Sequence, residues 1–238
     1  MSIAALAATA PGWAELRQVD GRQADIDAVV TRSSGAFTRV FELVVIHLAR
    51  EVKVFERLRG QTLPTSCPDR HINDDGSFCL GLRAGEGITL ETAVAWWKKL
   101  HNFLLCQETA TESGWWPAGA QISHGEAGEI ELRAEAVSAS LGLLQAYREA
   151  VEFDTGLIAA GLSKINRSNG LLRNGRSVCL CGRKDKRGNP LLRRECHSFG
   201  CPIVLEFERR AAADRFWRSM QGRPCCRTMR DCPLRREH

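Results

Sequence analysis

Residues 71–82 read HINDDGSFCLGL, and this stretch decides the fold that we expect for the chain. It places His71, Asn73 and Cys79 within nine residues, on either side of a turn-forming Asp-Asp-Gly. A cysteine in such a stretch can be a buried apolar thiol, a metal ligand or a nucleophile. A nucleophile also needs donors for an oxyanion, which an asparagine side chain or backbone N–H groups can supply.

The segments on either side predict an antiparallel sheet before this stretch and a helix after it. Residues 36–48 and 51–58 are rich in β-branched and aromatic residues, which favours two strands. Residues 90–107 carry apolar residues at helical spacing, and Thr89 is a suitable N-cap. We also expect helices at 13–32, 131–151 and 211–221, and a short strand at 202–208.

Together these features resemble a ubiquitin-conjugating enzyme. In that family a His-Pro-Asn tripeptide precedes a Gly-x-x-Cys-Leu segment, whose cysteine carries ubiquitin as a thioester. The segments His71-Ile72-Asn73 and Gly76-Ser77-Phe78-Cys79-Leu80 hold the matching positions. Ile72 replaces the family's proline, and Asn73 lies closer to Cys79 than in the eukaryotic enzymes. These departures resemble divergent bacterial members, whose operons encode a ubiquitin-like protein, an activating enzyme and a deconjugating peptidase.

The resemblance covers roughly residues 35–150 and implies an α+β fold, with a ubiquitin-conjugating-enzyme-like antiparallel sheet and packed helices. It implies that Cys79 accepts a ubiquitin-like protein from an activating (E1-like) enzyme and passes it to an amine on a protein target. Asn73 would stabilise the oxyanion, and His71 would hold the loop or assist proton transfer. His124, in a glycine-rich connector, is either a local loop histidine or a base for the incoming amine. The family's bacterial operons imply antiviral defence.

A second cluster of reactive residues lies near the C-terminus, where seven of the ten cysteines follow residue 178. Residues 179–201 read CLCGRKDKRGNPLLRRECHSFGC and resemble the SEC-C motif, a small zinc module. The zinc ligands that this resemblance implies are Cys179, Cys181, Cys196 and His197. Cys201 could replace His197 as a ligand. A second metal site or free thiols are both open for Cys201, Cys225, Cys226 and Cys232.

Charge divides the chain into two parts with different expected partners. Residues 1–150 hold 14 Lys or Arg against 19 Asp or Glu, whereas residues 151–238 hold 19 against 9. We predict a catalytic domain at 1–160, a basic linker at 161–177 and a cysteine-rich zinc-binding tail at 178–238. The basic tail could contact nucleic acid or an acidic protein as well as solvent.

Composition also bounds the location and the class of the protein. No apolar run approaches the roughly 18 residues of a membrane-spanning helix, and the N-terminus lacks the basic start of a signal peptide. We therefore expect a cytoplasmic protein with no membrane partner, in which cysteines serve as thiols or metal ligands. Two alternatives to a conjugating enzyme stay open. One is a non-catalytic scaffold whose zinc tail contacts nucleic acid or protein, and the other is a cysteine hydrolase that uses Cys79 and His124.

Overall fold

The fold comes from a computed structural model that describes residues 2–120, 122–170, 172–179, 182–195 and 200–235. Its strands are β1 (Ala14–Val19), β2 (Gln23–Ala28), β3 (Phe41–Leu48) and β4 (Glu51–Glu56). Its α-helices are α1 (Ser2–Ala8), α2 (Leu90–Ser113), α3 (Glu126–Ser140), α4 (Leu144–Phe153), α5 (Gly156–Leu162) and α6 (Pro202–Ser219). Contacts divide the chain into unit 1, Met1–Gln121 with Gly222–His238, and unit 2, Ile122–Gln221.

Unit 1 is built on a four-stranded antiparallel sheet in the order β1-β2-β3-β4. Burial alternates along β3, so that Phe41 and Leu43 face the core while their neighbours do not. These side chains join Trp97 and Leu100 of α2 in one apolar cluster. The Trp97 indole donates a hydrogen bond to the carbonyl oxygen of Leu6 in α1 at 3.1 Å, which satisfies its buried N–H. The sheet and two helices confirm the α+β class.

The helix that covers the sheet, α2, begins and ends where its sequence dictates. Thr89 and Thr92 form a capping box, in which each side chain accepts a hydrogen bond from the other residue's backbone N–H. The helix ends at Gly114, whose φ of 75° lies in the left-handed region that favours glycine. This helix confirms the one predicted over residues 90–107 and continues to Ser113.

Unit 2 contains α3 to α6, and the first three of these helices all pack against α6. Ile203 and Leu205 of α6 pack with Ile130 of α3, Tyr147 of α4 and Ile158 of α5 in a second apolar cluster. No helix of the described residues has the length and apolar character needed to span a membrane. Each unit therefore has its own apolar cluster.

Besides α2, the two predicted strands are confirmed, and so is the helix predicted at 211–221, which is the second half of α6. Two predicted elements were wrong, and a third is interrupted by a turn. The strands predicted at 36–48 and 51–58 are β3 and β4. The helix predicted at 13–32 is instead the pair β1 and β2, because every second residue of β2 is buried against the core. The helix predicted at 131–151 is divided between α3 and α4 by a turn in which Gly142 has a φ of 70°.

The strand predicted at 202–208 was also wrong, because these residues form the first turns of α6. Pro202 lies at the start of this helix, where a missing N–H costs nothing. The buried residues Leu205, Arg209 and Ala212 then recur at helical spacing. The predicted division into a catalytic domain ending at residue 160, a linker to residue 177 and a tail beyond it stays a prediction.

Candidate active site

The candidate active site is a hairpin that its own backbone hydrogen bonds define. At its closed end, the Asn73 N–H donates to the Ser77 carbonyl oxygen at 2.8 Å. Gly76 completes that turn with a φ of 84°, a conformation that favours glycine. At its open end, the Cys79 N–H donates to the His71 carbonyl oxygen at 2.8 Å. The hairpin therefore pairs Cys79 with His71, and Asn73 with Ser77 nearer the turn.

Phe78 anchors this hairpin on the rest of unit 1. Its N–H donates to the Val54 carbonyl oxygen of β4 at 2.9 Å, so the hairpin extends from the edge of the sheet. Its ring stacks on Phe103 of α2, with the ring centroids 4.6 Å apart. Phe78 and Ser77 before it are buried, whereas Cys79 is partly exposed. Cys79 is therefore a partly exposed residue on a hairpin that Phe78 anchors.

A chain of polar contacts orients Asn73 at the turn. The Asn73 amide Nδ2 donates to Ser77 Oγ at 2.9 Å, and Ser77 Oγ donates to Asp75 Oδ1 at 2.5 Å. Lys53 Nζ of β4 donates to Asp75 Oδ2 at 3.0 Å. Burial raises the pKa of the Asp75 carboxyl, but hydrogen bonds from Ser77 and Lys53 outweigh it and lower the pKa overall. The ionised Asp75 thus fixes the position from which Asn73 could donate.

His71 contributes to the hairpin mainly through its backbone and its packing. Its N–H donates to the Pro68 carbonyl oxygen at 2.8 Å, which closes the 3₁₀ turn Pro68–Arg70. Its φ of 53° is left-handed, and such a conformation costs a non-glycine residue about 1–3 kcal/mol. Its imidazole is buried, with its centroid 4.9 Å from that of the Trp116 ring. These contacts hold the backbone that receives the Cys79 N–H.

Arg70 and Gln107 form a buried link between the hairpin and α2. Arg70 Nε donates to Gln107 Oε1 at 2.8 Å, and Gln107 Nε2 donates back to the Arg70 carbonyl oxygen at 2.6 Å. Arg70 Nη2 also donates to the Gln107 carbonyl oxygen and to Thr111 Oγ1. Burial of the Arg70 guanidinium lowers its pKa. Because both residues are nearly inaccessible to solvent, this link is a strong positional constraint on the residue that precedes His71.

Sequence reasoning missed both members of this link. One signal was present, because Gln107 follows Leu100 and Leu104 on the apolar face of α2, where a polar residue requires a partner. Nothing in the local sequence names Arg70 as that partner, since 37 positions separate the two residues.

His124 lies in unit 2, on the segment that leads into α3. Its ring stacks on Phe216 of α6 at a centroid distance of 4.8 Å and meets the edge of Trp217 at 5.6 Å. The preceding residue is fixed as well, because Arg209 Nη1 donates to Ser123 Oγ at 2.8 Å. A local packing role for His124 is thus evident, and its action on an amine at Cys79 stays a prediction.

Of the four predicted zinc ligands, the structure describes only Cys179. Cys181, Cys196 and His197 lie outside the described residues. Cys179 is buried, and its N–H donates to the Leu191 carbonyl oxygen at 2.8 Å. Within the described part of the chain, no three His, Cys, Asp or Glu side chains are arranged to hold a metal ion. The predicted zinc site therefore stays a prediction, and a buried thiol at Cys179 suits such a ligand.

A partly exposed cysteine lies across from a His-x-Asn segment, on a sheet that a helix covers. This is the arrangement that the resemblance to a ubiquitin-conjugating enzyme implies. The model of a family described as "Prokaryotic E2 domain" matches residues 13–118, which include the whole hairpin. A second family model, "Cysteine-rich domain, C-terminal to E2 domain", matches residues 123–234. No curated protein and no solved structure matches the chain. The two matches together are those of a bacterial E2-like protein with a cysteine-rich tail, which indicates a conjugating-enzyme-like role.

Proposed function

We propose that this protein is a conjugating enzyme that carries a ubiquitin-like protein on Cys79 as a thioester. The observation that supports this most is the hairpin itself, which holds a partly exposed Cys79 directly opposite His71. Phe78, the residue before Cys79, already provides the packing of this strand on the core. Cys79 is therefore not needed there as a buried structural thiol. We further propose a role in antiviral defence, which the bacterial operons of the family imply.

The reaction consists of two acyl transfers. In the first, the Cys79 thiolate attacks the thioester carbonyl that joins the ubiquitin-like protein to the activating enzyme. The new carbon–sulfur bond forms, the old one breaks, and the thiolate of the activating enzyme leaves. In the second, an amine of the target attacks the Cys79 thioester and loses a proton, and the Cys79 thiolate leaves. Neither step consumes ATP, because the thioester already stores the energy.

The hairpin residues would support the second transfer. An oxyanion develops on the thioester carbonyl, and Asn73 is our candidate donor to it. The contacts of Ser77 and Asp75 would restrict the motion of the Asn73 amide before the amine arrives. His71 would act as a positioning residue, since its buried ring packs on Trp116. His124 is our candidate base for the amine proton.

The cysteine-rich domain would serve recognition rather than acyl transfer. A structural zinc ion held by Cys179, Cys181, Cys196 and His197 would supply folding energy that a small core lacks. The surplus of Lys and Arg after residue 150 would attract an acidic protein partner or nucleic acid.

The fate of the acyl group distinguishes the proposed transferase from the other two possibilities. The protein is loaded with the ubiquitin-like protein of its own operon, using the activating enzyme and ATP, and is then given a primary amine such as free lysine. A transferase forms an amide with the amine faster than it loses the adduct to water. A cysteine hydrolase releases the free carboxylate whether or not the amine is present, and a scaffold forms no adduct. Either of these last two results contradicts the proposed function.

A further inference from the structure

The chain ends in a segment, residues 222–235, that belongs to unit 1 although it follows unit 2 in sequence. We call it the C-terminal segment. Its Met229 and Cys232 are buried in a cluster with Cys67 and with Ala110 of α2. The Arg230 N–H donates to the Gly114 carbonyl oxygen at 2.9 Å, just beyond the end of α2. The segment therefore packs on the end of α2 and on the residues that precede the active-site hairpin.

Two contacts join this segment directly to the hairpin region. The Sγ atoms of Cys226 and Cys67 share a hydrogen bond at 2.7 Å. Arg223 forms an ion pair with Asp74 at the hairpin turn. Cys67 also pairs with Ile72 through two backbone hydrogen bonds, both of 3.0 Å, so its position is tied to that of the hairpin. Cys67 is thus held from both sides, by the hairpin and by the C-terminal segment.

The two thiols of this pair differ in environment. Cys67 is almost completely buried, whereas Cys226 is partly exposed. The hydrogen bond with Cys67 lowers the pKa of Cys226 most, burial opposes it, and Thr228 and Arg70 add to the lowering, which brings the pKa to about 5 in total. For Cys67 the same hydrogen bond raises the pKa, and burial raises it by a smaller amount. The partly exposed Cys226 is therefore the member of the pair that an oxidant in solution can reach.

We propose that Cys67 and Cys226 are a site of reversible oxidation, where a hydroperoxide converts the two thiols into a disulfide that ties the C-terminal segment to the active-site hairpin. An accessible thiol beside a second thiol is the arrangement that redox-sensing cysteines share, and here the two sulfur atoms lie 2.7 Å apart. This modification is independent of acyl transfer, because neither sulfur is part of the proposed carrier site at Cys79.

The chemistry balances with the hydroperoxide as the oxidant. The Cys226 thiolate attacks the peroxide oxygen, the O–O bond breaks, and one alcohol or water molecule leaves after taking up a proton. Cys226 is then a sulfenic acid. Cys67 attacks its sulfur, the S–S bond forms, the S–O bond breaks, and water leaves with the Cys67 proton. The two cysteines lose two electrons in total, and the O–O bond accepts them.

Cys225 offers a matched control, because it adjoins Cys226 and packs in the same cluster, but its sulfur contacts Cys232 and not Cys67. The Arg227 N–H donates to Cys225 Sγ at 3.3 Å. The disulfide that we propose should therefore depend on residue 226 and not on residue 225, although the two are neighbours in sequence.

Peptide mapping of the full chain tests the proposal. The protein is treated with hydrogen peroxide, its remaining thiols are blocked, and it is digested with trypsin without reductant. Cys67 lies in peptide 60–70 and Cys226 in peptide 219–227, whereas Cys79 lies in peptide 71–83. We expect a linked pair of peptides 60–70 and 219–227 that disappears after thiol reduction. Its mass should be two hydrogen atoms less than the sum of the two peptides with Cys225 blocked.

The variants decide which sulfurs form the link. The linked pair should be lost in Cys67→Ser and Cys226→Ser and should keep its wild-type yield in Cys225→Ser. Absence of the linked pair from peroxide-treated wild type overturns the proposal. So does an undiminished yield in Cys226→Ser, since the link would then use Cys225. Zinc released by peroxide from wild type but not from Cys226→Ser, measured with a chromogenic chelator, would show a metal ion at these sulfurs and would overturn it as well.

Discussion

Replacing Gln107 with methionine tests whether α2 holds the active-site hairpin through Arg70. Methionine has a similar volume but can neither accept the Arg70 Nε hydrogen bond at 2.8 Å nor donate to the Arg70 carbonyl oxygen. A bond to a charged group contributes about 1.5–3 kcal/mol, and an unpartnered buried carbonyl costs about 1–3 kcal/mol. Arg70 keeps its bonds to the Gln107 carbonyl oxygen and to Thr111. We therefore expect Gln107→Met to lower the free energy of unfolding of unit 1 by about 3–5 kcal/mol.

Urea unfolding followed by tryptophan fluorescence measures this loss, because five of the six tryptophans lie in unit 1. The control is Gln61→Met, an exposed position of the same unit, where we expect a change within about 0.5 kcal/mol. Gln107→Glu keeps an acceptor for Arg70 and should fall between the two. If Gln107→Met is as stable as the Gln61→Met control, the buried link does not hold the hairpin and the reasoning is refuted.

The remaining predictions concern the hairpin amide, the metal and the low-pKa thiol. Asn73→Ala should slow discharge of the loaded protein to an amine by about 10²–10³-fold and leave loading nearly unchanged, and equal slowing of both steps in single-turnover assays would count against an oxyanion role. Elemental mass spectrometry should find about one zinc ion in the purified protein. The Cys179→Ser variant should lose this zinc and the Cys106→Ser control should keep it, and a folded, metal-free wild-type protein contradicts the prediction. Alkylation of Cys226 by iodoacetamide should fall as acid protonates its thiolate, with a midpoint near pH 5. Burial raises the pKa of Cys106 to about 11, so Cys106 should stay unreactive up to pH 8. A Cys226 midpoint near pH 9 contradicts this prediction.

The parts of the site that the sequence predicted are those with a local physical cause. The turn around Gly76 follows from its Asp-Asp-Gly sequence, and the turn alone pairs Asn73 with Ser77 and His71 with Cys79. The helix α2 follows from its apolar spacing and from the Thr89 cap. Both features depend on residues within a few positions of one another, so a single sequence contains the information.

The parts that the sequence did not predict depend on contacts between distant residues. The short strand β2 was mistaken for helix because its alternation spans only six residues and becomes decisive only when β3 pairs with it. The link between Cys67 and Cys226 joins residues 159 positions apart, and it requires the C-terminal segment to return to unit 1. No local pattern encodes that return, because the chain passes through all of unit 2 before it.

The most direct test of the proposed function is the site and the chemical type of the adduct. The protein is incubated with the ubiquitin-like protein, the activating enzyme and ATP, and the product is examined by intact mass before and after thiol reduction. We predict one adduct that reduction removes from wild type and from Cys106→Ser, and an oxyester on Cys79→Ser that resists reduction. A reducible adduct that persists at wild-type level on Cys79→Ala would contradict the assignment of Cys79 as the acyl carrier.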